Sequence, residues 1–84
     1  MKPRKLFQKA VRSPQNLRFQ DFLTLASAFG FRVARISGSH HILVHDSVDE
    51  QLNLQDTDGQ AKPYQVRQFL KLVEENDLAL DDQT

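Results

Sequence analysis

Three histidines, His40, His41 and His45, fall within one six-residue stretch, and the first two follow directly on Gly38-Ser39. Histidine has an ordinary pKa of about 6.5 and exchanges a proton near neutral pH, so one held at a turn is a candidate general acid or base. The substrate class that asks least of such a group is RNA. Its 2′-hydroxyl is an internal nucleophile, so cleavage needs no metal where one imidazole moves the proton and cations steady the phosphate. Gly38 permits close approach of a phosphate to backbone N–H groups, Ser39 can donate a hydrogen bond to it, and Arg32, Arg35 and Lys62 are candidates for the phosphate charge. His40 is thus the candidate catalytic residue, and Arg32, Arg35, Gly38, Ser39, His41 and Lys62 are the candidate RNA-binding set. On the residues alone, the reading of His40 and His41 as ordinary strand residues beside a hairpin turn stays open.

A shared metal site is the competing chemistry, since imidazole is the commonest transition-metal ligand. Strand geometry opposes it. Adjacent residues of a strand point to opposite faces, and His41 and His45, on one face, lie roughly 13 Å apart at about 3.3 Å per residue. Asp46, Asp49 and Glu50 complete a site only if their loop folds back. The chain has no cysteine, which excludes a disulfide framework, a thiolate zinc site and a thiol nucleophile. Neither a metal nor a cofactor is expected.

The elements that must position these residues are legible in the apolar spacing. Leu6, Phe7, Ala10 and Val11 predict a first helix over about residues 3 to 12, with Pro3 in its first turn and Ser13-Pro14-Gln15-Asn16 breaking the pattern. Asn16 is the expected cap of a second helix, in which Phe19, Phe22, Leu23, Ala26 and Phe29 make one stripe and Gly30 supplies the stop. Residues 31 to 36 and 40 to 45 read as a hairpin reversing at Gly38. An acidic connector, Asp46 to Glu50, then leads to a third strand over residues 51 to 55, with Leu52 and Leu54 on one face. The last helix begins near Pro63, presents Val66, Phe69, Leu70 and Val73 on one face, and ends near Glu75, with the tail after Leu80 expected to fray. Arg67 and Lys71 read as surface partners of Glu74 and Glu75, and the helical spacing of Phe19, Phe22, Phe29 and Phe69 assigns them to the core rather than to base stacking. The expected architecture is α+β, a three-stranded antiparallel sheet packed by helices in the order α-α-β-β-β-α, as one domain over residues 1–84.

The net charge of zero conceals an asymmetry: residues 1–40 carry eight Lys or Arg against Asp21 alone, and residues 41–84 carry three against ten Asp or Glu. Such a split fits a basic nucleic-acid face, two complementary surfaces, or a basic half that docks an acidic partner protein. No run approaches the roughly 20 apolar residues of a membrane span. The basic N-terminus lacks a signal-peptide core, because Gln8, Lys9 and Arg12 interrupt it. A soluble, cytoplasmic protein is expected.

The stretch Ala28-Phe29-Gly30-Phe31-Arg32-Val33-Ala34-Arg35-Ile36-Ser37-Gly38-Ser39-His40-His41-Ile42 resembles the core of the HicA family of toxins from type II toxin-antitoxin modules. The likeness extends through Asn53-Leu54-Gln55 and Gly59-Gln60-Ala61-Lys62-Pro63-Tyr64-Gln65-Val66-Arg67-Gln68-Phe69-Leu70, the form this region takes in one branch of that family. It covers about residues 19 to 78, the first helix being an addition to a core over about residues 17 to 78. The resemblance implies a fold like that of double-stranded-RNA-binding domains. It also implies an mRNA-binding endoribonuclease that inhibits translation, is neutralised in a hetero-oligomer by a HicB-type antitoxin, and uses the histidine after Gly-Ser, here His40, as its catalytic residue. Many members have a Val-Pro-x-His segment before the last helix, where this chain reads Ala61-Lys62-Pro63-Tyr64-Gln65 with no histidine. A non-catalytic RNA-binding or antitoxin-binding module is the alternative function.

Overall fold

The computed structural model of the chain describes residues 2–81. The expected order of elements is present: α1 (Pro3–Arg12), a single 3-10 turn (Pro14–Asn16), α2 (Phe19–Ala28), β1 (Arg32–Ser37), β2 (His40–His45), β3 (Val48–Gln55) and α3 (Pro63–Glu75). The three strands form an antiparallel sheet in the order β1-β2-β3, which makes this an α+β fold. The expected tail beyond Leu80 falls, past Asp81, outside the described residues.

The helices bury their apolar stripes together against one face of the sheet. Phe69 of α3 is the hub, with the rings of Phe22, Phe29 and Phe31 around it at 5.5, 5.7 and 5.8 Å. These tilted and edge-on contacts suit the quadrupoles of aromatic rings and add to their burial. Leu43, Leu52 and Leu54 come in from the sheet, and Leu6 and Ala10 of α1 are buried in the same cluster, so the first helix is part of this core. Loss of Phe69 would cost about 3–5 kcal/mol, a large share of the roughly 5–15 kcal/mol that holds a small domain folded.

Two boundaries differ from the sequence reading. Asn16 does not cap α2: it closes the 3-10 turn, and the N-cap position is Arg18, with no side-chain cap bond. The exposed helix end is instead satisfied from far along the chain. The Phe19 N–H donates to the Gly59 carbonyl, and the Ala61 N–H donates to the carbonyl of Leu17, which is fully buried. The second difference is the acidic connector, which shrinks to Asp46-Ser47 because Val48 pairs with His45 and is buried, drawing Asp49 and Glu50 into β3.

Candidate functional site

Strand alternation divides the sheet into two faces, and register decides which residue lies on which. Leu43 pairs with Leu52 and His41 with Leu54, so His41, Leu43, Leu52 and Leu54 share the face that the helices cover. His40, Ile42 and Val44 point the other way, together with their partners Asn53 and Gln55 on β3 and Ser37, Arg35 and Arg32 on β1. None of these eight residues is buried. This open face is the candidate site.

Irregular pairing at β1 shapes that face. The register shifts between Val33 and Arg35, so Ala34 is an extra residue, and Arg32 and Arg35, three apart, both pair with open-face residues, Val44 and Ile42. In a regular strand they would point to opposite faces. By register Arg35 is nearer to His40 than Arg32 is, two pairs along from Ser37, which pairs with His40 itself. It has no ion-pair partner among the described residues. Arg32 lies at the other end of the face and is engaged: its Nη1 donates to Asp46 Oδ1 at 2.7 Å. The hydrogen bond from Arg32, and then its positive charge, hold the exposed Asp46 carboxyl below its ordinary value of 3.8.

His40 opens β2 immediately after the turn. Gly38 has a φ of 60°, the left-handed value needed at the first position of a two-residue hairpin turn, and a Cβ there would meet nothing within 4 Å. The turn is therefore open to an incoming group, and Ser39 is exposed beside it, its carbonyl accepting the Asp56 N–H. The His40 ring is exposed, with its Nδ1 3.1 Å from Asn53 Oδ1. Asn53 was not among the candidate residues of the sequence. Its signal is present there only as a polar residue between Leu52 and Leu54, which predicts its face but not its partner.

The other two histidines are held by the protein. His41 lies edge-on to the Phe19 ring at 4.9 Å, its Nδ1 buried without a hydrogen-bond partner, so it does not join His40 on the open face. His45 accepts the Ser47 N–H at Nδ1 and donates from Nε2 to the Phe29 carbonyl at 2.9 Å, tying the end of β2 to the end of α2. Among the described residues, no group of three or more His, Cys, Asp or Glu side chains is arranged to hold a metal ion.

Lys62 sits at the N-cap of α3, half-buried, with its carbonyl accepting the Gln65 and Val66 N–H groups. Gln65 is buried, and its Oε1 accepts the backbone N–H of Gln55, the residue paired with His40. The start of α3 is thereby fixed to the end of β3 that carries the site.

This arrangement offers one exposed imidazole, a partnered Nδ1, an open turn with a hydroxyl, and a cation on the same face. It can bind a phosphodiester and move a proton, and no described helix is long and apolar enough to cross a membrane. Residues 19–74 match the family model described as the HicA toxin of bacterial toxin-antitoxin systems. No match was found among curated proteins or among solved structures.

Proposed function

The chain belongs to the HicA family of toxins of bacterial toxin-antitoxin systems, and on that premise we propose that it is a metal-independent endoribonuclease acting on mRNA in the cytoplasm. The observation that supports this most is the placement of His40, exposed on the open face at the mouth of the Gly38-Ser39 turn. In this reading the RNA backbone lies over Ile42 and Val44. Arg35 and Ser39 hold the scissile phosphate, Gly38 lets it approach the turn, and Lys62 contacts a flanking phosphate, while Arg32 is engaged by Asp46 and is kept from the RNA.

His40 takes the proton of the 2′-hydroxyl as that oxygen attacks the adjacent phosphorus. The bond to the 5′-oxygen breaks, that oxygen leaves with a proton from water, and the product strand ends in a 2′,3′-cyclic phosphate. Proton transfer by one positioned side chain contributes about 10²- to 10⁴-fold, which suits a slow enzyme. His41, on the covered face, then acts by holding β2 against Phe19 rather than by touching RNA. HicA toxins pair with antitoxins, and a HicB-type antitoxin would neutralise this chain by covering the open face.

The test uses purified chain and a single-stranded RNA. His40→Ala should abolish cleavage with an unchanged melting temperature, and a 2′-deoxy substitution at the cut site should block it in the wild type. Unchanged cleavage by His40→Ala removes the assignment. Salt-sensitive RNA binding with no product from the wild type would establish the non-catalytic module instead.

A further inference from the structure

Histidine has two ring nitrogens, and which one is free to accept a proton is set by what the other one bonds. Asn53 Oδ1 is an amide oxygen and can only accept, so the 3.1 Å contact requires the proton of neutral His40 to sit on Nδ1. Nε2 is then left with its lone pair. The two residues are diagonal neighbours across β2 and β3: Asn53 pairs with Ile42, one step along the open face from His40, which is within reach of side chains of this length. An unpartnered histidine prefers the opposite tautomer, with the proton on Nε2, which could not take a proton there.

We infer that Asn53 is a positioning residue that fixes His40 in the Nδ1–H tautomer and aims its Nε2 lone pair outward from the open face. The inference deepens the ribonuclease reading and rests on it for its catalytic meaning, while the tautomer itself is a property of the free protein. Asn53 is exposed, in the middle of a strand whose burial lies in Val48, Leu52 and Leu54, so its replacement removes the acceptor without removing core. Its side chain bonds His40 and carries no charge for a phosphate, so its loss should act chiefly on the proton-transfer step and largely leave RNA binding in place.

The experiment reads the ¹⁵N chemical shifts of the His40 ring at about pH 9, where an ordinary imidazole is neutral, in the wild type, Asn53→Ala and Asn53→Asp. The wild type should show a protonated Nδ1. Asn53→Ala should move the ring toward the Nε2–H form, and Asn53→Asp, which keeps an acceptor, should retain Nδ1–H. On a single-stranded RNA oligonucleotide, Asn53→Ala should lower kcat by about 10-fold or more with KM nearly unchanged, and Asn53→Asp should recover part of the loss. An Nε2–H ring in the wild type, or a tautomer unmoved by Asn53→Ala, overturns the inference. A tautomer that shifts as described in a chain that never cleaves RNA sustains the positioning role and overturns the ribonuclease reading alone.

Discussion

Gln65 Oε1 accepts the backbone N–H of Gln55 at 2.9 Å, joining the first turn of α3 to the strand residue that pairs with His40. Gln65 stands at the histidine position of the Val-Pro-x-His segment that resemblance leads one to look for, and here that position faces inward, 5% exposed. A side chain there cannot reach an RNA on the open face. What the site requires of it is a hydrogen-bond acceptor for a strand N–H.

Gln65→Leu should therefore destabilise the chain by about 1–3 kcal/mol, the cost of leaving the half-buried Gln55 N–H without its acceptor. Gln65→His should not raise cleavage above the wild type, because the added imidazole lies inside the fold. A urea unfolding series and a cleavage assay on the two variants check both halves. A marked gain of activity in Gln65→His would show that this position reaches substrate.

The Arg32–Asp46 pair makes a prediction about salt and pH. Asp46 is held below 3.8 in the folded chain by the Arg32 hydrogen bond and charge, so its contribution to stability is fully present above pH 3.8 and is lost as the pH falls further, through the lowered value. At neutral pH the pair is closed and one open-face guanidinium is occupied. Asp46→Asn should release Arg32 for a phosphate, tightening RNA binding and steepening the slope of log K against log salt by about 0.7, the value for one further contact on a single strand. Binding titrations over a range of salt measure it. An unchanged slope would mean that Arg32 lies beyond the RNA track.

His41 gives a prediction of opposite sign. Its buried Nδ1 has no partner, and its ring stands edge-on to Phe19. A ring without that nitrogen keeps the aromatic contact and removes the unsatisfied group, so His41→Phe should raise stability by about 1 kcal/mol, or roughly 4–8 °C in Tm for a domain of this size. Its RNA cleavage should be kept. Loss of cleavage at unchanged or raised Tm would return His41 to the RNA-binding set.

The contrast among the histidines shows how far the sequence carries. Apolar spacing with the Pro and Gly breaks locates the helices and strands, because Phe19, Phe22, Phe29 and Phe69 and the Leu52–Leu54 alternation are local signals of what must be buried. Within β2, Ile42 and Val44 point to one side and Leu43 to the other, so β2 by itself leaves the choice of face undecided. Pairing with Leu52 and Leu54 decides it, and that register is a long-range fact. The extra residue at Ala34, the carbonyl of Gly59 serving α2, and the reach of Asn53 to His40 are long-range in the same way. None leaves a pattern within its own segment.

Gly30 and His45 form the junction that sets the start of β1 against the end of β2. Gly30 has a φ of 97°, and a Cβ placed on it would lie 2.7 Å from His45 Nε2, the atom that donates to the Phe29 carbonyl. Gly30→Ala thus combines two penalties, a left-handed backbone on a residue with a Cβ and the displacement of a ring bonded at both nitrogens. Together these should cost about 2–4 kcal/mol. Trimming the ring removes the collision but not the backbone strain, so Gly30→Ala combined with His45→Ala should cost less than the sum of the single changes by about 0.5–3 kcal/mol. Four unfolding curves close the cycle. Strict additivity would mean that the glycine is needed for its backbone angle alone and that the imidazole moves aside freely; a favourable coupling would show that the close approach to His45 adds its own cost to a Cβ at position 30.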